Sequence, residues 1–129
     1  MNKEDWKKVE DALESLYRIA VLDCDGYKLS LNLVMATKYR NEIRFYVDGW
    51  LYVKWVLEDC EERRRFCRPV HRRKYKKASF KGLSKRTLKT WKIDPDEKYT
   101  TYGLTWKSFV SLKRHLIANN KEITLVEVK

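Results

Sequence analysis

The chain has 129 residues, with 29 Lys or Arg against 18 Asp or Glu and a net charge of +11. This length fits one domain, and a hydrophobic content of 43% is enough to bury a modest core. No apolar run approaches the roughly eighteen residues that a membrane-spanning helix needs, and the charged residues 1–5 lead us to expect no secretory signal.

An N-terminal helix and four consecutive strands are predicted from the first 57 residues. Asn2 is suited to cap the helix, whose apolar residues recur at helical spacing as far as Tyr17. A short apolar run then predicts the first strand, and alternating apolar and polar residues predict the other three. They occupy residues 19–22, 27–33, 43–47 and 51–57.

The turn between the last two of these strands decides which residues face the core. A two-residue loop at Asp48-Gly49 would oppose Ile43 to a lysine and waste a buried position. A longer, bulged loop opposes Val47 to Leu51 and gathers the apolar residues on one face. We expect the longer loop, with Trp50 partly exposed at its tip.

Short helices dominate the C-terminal half. Ser84 is expected to cap a short helix and Thr105 a longer one, while Pro69 ends an earlier helix. The order of elements predicts an α+β fold in a single domain, residues 1–129, with an N-terminal helix, an antiparallel sheet of about four to five strands and C-terminal helices. The remaining predicted elements are that earlier helix at 58–65, a turn at 94–96, extended chain at 99–104 and a strand at 123–128.

One block, residues 63–92, accounts for the whole positive charge. It contains fourteen Lys and Arg and no Asp or Glu, whereas the rest of the chain has 15 basic and 18 acidic residues. Because like charges repel, such a block indicates a polyanionic partner, most commonly nucleic acid. A solvated face, an acidic protein groove and a membrane surface are the alternatives, but the block lacks the Leu and Phe stripe of a membrane-binding helix.

We predict that this block, a basic helical or arm segment, binds RNA or DNA. Tyr75 and Phe80 are candidates to stack on unpaired bases because no core periodicity includes them, whereas Phe66 and Trp91 have the spacing of core residues. The predicted interface consists of Arg63, Arg64, Arg65, Arg68, Arg72, Arg73, Lys74, Tyr75, Lys76, Lys77, Phe80, Lys81, Lys85, Arg86 and Lys89.

The three cysteines, Cys24, Cys60 and Cys67, are expected to be reduced thiols in a cytoplasmic protein. The first two ligands of a structural zinc site are normally two to four residues apart, whereas six residues separate Cys60 from Cys67. We therefore predict no metal site, although Cys24 and His71 would be the ligands completing one.

No catalytic site and no cofactor are predicted. A metal-dependent nuclease needs at least two converging acids, but Asp23, Asp25, Asp94 and Asp96 lie at turns, where Asp commonly bonds nearby backbone. The chain has no glycine-rich phosphate loop and no hydrolase motif. We predict a non-enzymatic nucleic-acid-binding protein.

Two stretches carry a family resemblance: Glu61-Glu62-Arg63-Arg64-Arg65-Phe66, and the segment from Asp94-Pro95-Asp96 through Trp106 to residues 112–120. The chain resembles small accessory proteins of phages and prophages, which include anti-CRISPR proteins. The resemblance implies an alternative function in the host cytoplasm, the inhibition of a defence complex by docking on an RNA-guided nuclease or on its guide RNA or target DNA. Many anti-CRISPR proteins are acidic DNA mimics, so the opposite charge here implies gripping nucleic acid.

Overall fold

The computed structural model describes the backbone of residues 1–129 and every side chain except that of Lys77. The predicted α+β class, with an N-terminal helix, an antiparallel sheet and a C-terminal helix, is confirmed. The chain divides into two compact units, the first formed by Met1–Arg68 with Tyr102–Lys129 and the second by Pro69–Thr101. In chain order the elements are α1 (Lys3–Ala12), β1 (Ile19–Cys24), β2 (Tyr27–Thr37), β3 (Arg40–Val47), α2 (Lys54–Leu57), α3 (Glu61–Phe66), β4 (Arg68–Arg73), a 3-10 turn (Lys77–Phe80), α4 (Lys85–Thr90), β5 (Lys98–Gly103), β6 (Thr105–Trp106), α5 (Phe109–Asn119) and β7 (Ile123–Val128).

The first unit is built on a five-stranded antiparallel sheet of order β6-β3-β2-β1-β7. Alternation decides which face is buried: Leu29 and Leu31 of β2 are fully buried, while Ser30 between them is not. Leu31 pairs with Phe45 of β3, so the apolar residues of both strands meet on one face. This part of the predicted pattern is confirmed.

Two helices contribute to the same core. Val9 of α1 and Leu112 and Leu116 of α5 are almost completely buried in the cluster that contains the sheet residues. The Asn2 side chain accepts a hydrogen bond from Asp5 N (2.8 Å), which confirms the predicted cap.

The start of α5 differs from the prediction. Ser108, not Thr105, is the N-cap, and Thr105 and Trp106 form the short strand β6 at the edge of β3. The Trp106 indole is buried, and its Nε1 donates a hydrogen bond to Phe66 O (2.9 Å) while the backbone at Trp106 is extended. The Ser108 side chain accepts a hydrogen bond from Ser111 N (3.4 Å), as an N-cap does.

The predicted fourth strand and the bulged loop before it are both wrong. Val47 and Trp50 exchange two backbone hydrogen bonds (2.8 and 3.0 Å) across a two-residue turn. Asp48-Gly49 suits that turn because both residues have positive φ, 51° and 83°. The chain then leaves the sheet as α2, which buries Trp55 in a stack against Phe45 (6.1 Å between ring centres). Trp50 is 64% exposed, as expected.

The second unit combines a two-stranded ribbon, formed by β4 and β5, with the 3-10 turn and α4. Ser84 caps α4 by accepting from Thr87 N (3.2 Å), and Asp94 makes the predicted turn by accepting from Asp96 N (2.9 Å). Leu88 is the one residue of this unit whose described side chain is buried. No helix in the described structure is long and apolar enough to cross a membrane.

Candidate nucleic-acid interface

The basic block is divided between the two units. Its first four cations belong to the first unit, and its other ten belong to Pro69–Thr101. This 33-residue second unit has 11 basic and 3 acidic residues, a net charge of +8, whereas the rest of the chain has 18 basic and 15 acidic residues. The positive charge is therefore mainly a property of the second unit.

Arg65, a predicted interface residue, instead links several segments of the first unit through hydrogen bonds and ion pairs. Its Nη1 donates to Asp25 Oδ2 (2.7 Å) and to Asn120 Oδ1 (2.9 Å), and its Nη2 lies 2.7 Å from Glu61 Oε1. The side chain is only 21% exposed. A guanidinium committed to three protein partners has few donors left for a phosphate, so we reassign Arg65 from binding to stability.

Asp25, the partner of Arg65, holds two parts of the chain together. Its carboxylate accepts hydrogen bonds from Lys121 N and Glu122 N, both 2.8 Å. These backbone donors, with Arg65, lower the pKa of Asp25 to about 2. Asp23 accepts from the N–H of the turn glycine (2.9 Å), so both acids of this turn serve backbone amides.

The other three arginines of the first unit differ in their availability. The Arg63 guanidinium carbon lies 3.7 Å from the centre of the Tyr102 ring, a close cation–π contact. Arg68 is half-buried. Arg64 is the accessible one: its side chain is 65% exposed, and its Nε makes a surface ion pair with Asp59 (3.3 Å) and a hydrogen bond to Cys60 O (3.3 Å).

The ribbon and the chain that follows it present exposed cations, where sequence alone predicted only an arm without defined structure. Arg73 lies 3.4 Å from the Asp96 carboxylate and Lys74 lies 3.5 Å from that of Glu97. The Asp96 side chain is 83% exposed, and solvent-exposed ion pairs of this kind contribute little. Arg72 has a long contact to a hydroxyl, 3.4 Å from Thr101 Oγ1.

Helix α4 adds a second group of cations, Lys85, Arg86 and Lys89, all exposed. No acid lies in its first turn, where the helix dipole favours negative side chains and opposes positive ones. Among the described side chains of the second unit, only Arg73 and Lys74 have a carboxylate within 4.0 Å. The predicted role of Lys77 falls on the one side chain outside the described structure, and the other exposed cations of the connecting segments are Lys76, Lys81 and Lys92.

The aromatic residues of the block are arranged differently from the prediction. Tyr75 and Phe80, the predicted stacking pair, are half-buried and pack edge-to-face on each other at 5.2 Å. Phe66 is buried, as its spacing predicted. Trp91, which was assigned to the core, is 58% exposed, and Tyr99, which was not singled out, is 47% exposed. Lys98, Tyr99 and Thr100 at the start of β5 are all exposed, so strand alternation gave no signal for Tyr99.

The cysteines behave as apolar core residues. Cys24 and Cys67 are buried, which raises the pKa of each thiol to about 12. Cys60 and Cys67 are the N-cap and the C-cap of α3. Within the described residues, no group of three or more His, Cys, Asp and Glu side chains is arranged to hold a metal ion.

Comparisons with protein-family models, curated proteins and solved structures found no match to this chain. Its function is therefore inferred from its own charge and geometry. The second unit offers exposed, mostly unpaired cations on a ribbon and a short helix, an arrangement suited to binding a phosphate backbone.

Proposed function

We propose that this chain is a non-enzymatic nucleic-acid-binding protein whose second unit, Pro69–Thr101, contacts the phosphate backbone with weak sequence preference. One observation carries the proposal: nine cations of the block lie in this unit with described side chains, and all nine are exposed. Neutralising phosphates with such residues releases condensed counterions, which favours association whatever the base sequence.

The proposed contact set is smaller than the set predicted from sequence. Arg63 and Arg65 are engaged within the first unit and Arg68 is half-buried there, so all three are assigned to the fold. Tyr75 and Phe80 pack against each other, so they are assigned to the fold and not to base stacking. The proposed phosphate-binding residues are Arg72, Arg73, Lys74, Lys76, Lys81, Lys85, Arg86, Lys89 and Lys92; Arg64, the exposed cation of the block in the first unit, is not part of this set.

A salt titration with short RNA and DNA oligonucleotides tests this proposal. If about half of the nine exposed cations contact phosphate, the slope of log affinity against log salt has a magnitude of about 3 to 4. Oligonucleotides of unrelated sequence should bind within a few-fold of one another. The absence of binding at low salt, or an affinity that does not depend on salt, would refute the proposal.

A second candidate function is favoured by an apolar surface on the first unit. Trp50, Tyr52, Val53 and Leu57 are between 43% and 78% exposed, and the rings of Trp50 and Tyr52 stack with centres 6.1 Å apart. We call these four residues the aromatic patch. Clusters of exposed apolar side chains commonly mark protein-binding surfaces, where Trp and Tyr are the usual anchors.

Acidic residues border the aromatic patch and indicate the charge of its partner. Glu58 and Glu62 line a depression together with Tyr52 and Trp55, and these two acids outnumber the one cation there, Lys54, whose Nζ lies 5.0 Å from the centre of the Tyr52 ring. An apolar centre with an acidic border complements a basic protein surface, and proteins that hold nucleic acid carry such surfaces. These features favour a phage-type inhibitor that docks on an RNA-guided nuclease.

Variants of the aromatic patch separate the two candidate functions. Trp50→Ser with Leu57→Ser should abolish inhibition of a susceptible guide RNA–nuclease complex but leave the affinity for free RNA unchanged. Tyr39→Ser is the matched control, because Tyr39 is 90% exposed and lies outside the aromatic patch. If no assembled nuclease is inhibited by the wild-type protein, or if the patch variant inhibits as well as wild type, the second candidate is wrong.

A further inference from the structure

The second unit exposes two aromatic rings. Trp91 is 58% exposed and Tyr99 is 47% exposed, whereas Leu88 is the buried apolar side chain on which α4 packs. Both rings lie in the unit that carries the net charge of +8. Exposed rings among cations form the two components of a site for unpaired bases.

The position of Tyr99 follows from the register of the ribbon. Lys74 N donates to Glu97 O (2.9 Å), and the side chains of His71 and Thr100 touch at 2.9 Å. Both contacts imply an antiparallel register in which residue numbers across the ribbon increase on one strand as they decrease on the other. That register sets Arg72 directly opposite residue 99.

Arg72 and Tyr99 therefore project from the same face of the ribbon, since directly opposite residues share a face. Both side chains are exposed. A guanidinium on the same face as an exposed ring is suited to bind a phosphate while the ring stacks on a base of the same strand, and Arg suits this combination better than Lys.

Trp91 has a similar setting at the end of α4. It is the C-cap of the helix, with Lys89 two residues before it and Lys92 immediately after it. Lys92 has a positive φ of 56°, which ends the helix. The indole thus lies at a helix end bordered by exposed cations.

We propose that the second unit binds single-stranded nucleic acid, with Tyr99 and Trp91 stacking on unpaired bases. This inference rests on the proposed phosphate-binding function and adds the form of nucleic acid to it. Bases of a duplex are already stacked on their neighbours, so exposed rings favour the single-stranded form. A two-stranded ribbon also fits the major groove of a duplex, and duplex binding is therefore the alternative outcome of the test.

The experiment compares a single-stranded 20-nucleotide oligonucleotide with its duplex at one salt concentration. Tyr99→Leu and Trp91→Leu should each weaken single-strand binding about tenfold, within the range expected for one stacked base, and change duplex binding less than about twofold. Tyr99→Phe, which keeps the ring, should bind like wild type. Tyr39→Leu in the first unit is the matched exposed-ring control, and thermal melting confirms that each variant folds.

The possible outcomes are distinguishable. Equal wild-type affinity for single strand and duplex, or equal losses on both when the rings are replaced, would overturn the single-strand inference while leaving phosphate binding intact. Failure of the wild-type protein to bind either form would overturn the proposed function itself. Fluorescence gives a second readout: single-stranded ligand should quench the indole emission, and Trp91→Phe should remove most of that quenching.

Discussion

Replacing Lys85, Arg86 and Lys89 with Gln removes three positive charges from α4 and leaves its buried anchor, Leu88, in place. If all three contact phosphate, the salt slope should fall in magnitude by about 2 for a single strand and about 3 for a duplex. When salt rises from 50 to 200 mM, the fold-loss of affinity should then be about 20 to 40 times smaller for the variant than for wild type. Stability should not fall, because Lys85 and Arg86 oppose the dipole of the helix that they begin.

Fluorescence anisotropy with one labelled oligonucleotide across this salt range measures both slopes. The matched control replaces Lys3, Lys8 and Lys107, which are also exposed but belong to the first unit, and it should keep nearly the wild-type slope. If the two triple variants lose equal slope, binding follows the net charge of the chain and not the second unit. An unchanged slope in the α4 variant would remove that helix from the interface.

Three further outcomes are expected. Arg65→Ala should lower the melting temperature by several degrees while Arg64→Ala changes it little, because Arg65 bridges distant segments and Arg64 makes a surface ion pair; equal shifts in calorimetry would contradict this. The folded-state pKa of Asp25, about 2, lies below its ordinary 3.8, so its contribution to stability is complete above about pH 4 and is lost as pH falls toward 2. Asp25→Asn should therefore be less stable near neutral pH and show a flatter loss between pH 4 and pH 2 in acid-unfolding curves. Hydrogen exchange in Pro69–Thr101 should slow when salt is added without ligand, because screening relieves the repulsion within a unit of net charge +8, and unchanged exchange would show that this repulsion is negligible.

Local alternation predicted the strands whose partners are their neighbours in the chain. Leu29 and Leu31 could be assigned to the core because β2 pairs with β1 and β3 through short turns, and one face of each strand is apolar. Residues 51–57 have similar alternation but became a loop and α2. The Asp48-Gly49 turn and the stacking of Trp55 on Phe45 removed that segment from the sheet.

The individual roles of the arginines could not be predicted from the sequence. Arg64 and Arg65 are adjacent and chemically identical, yet one is exposed and the other is tied to Asp25, 40 residues earlier in the chain. A helix turns by about 100° per residue, so neighbours face different surroundings. Which arginine faces the carboxylate depends on how α3 packs, and no local pattern records that packing.

The same distinction explains why counting charges located the basic block but did not show which of its residues are available to a partner. Net charge is additive along the chain, so the block could be identified by counting. Availability is not additive, because each guanidinium or ammonium group is free or engaged according to its own neighbours. In the first unit, acids and rings engage Arg63 and Arg65. The second unit has 3 acids for 11 cations, so most of its charge has no possible partner there and must be balanced by solvent ions or by a polyanion.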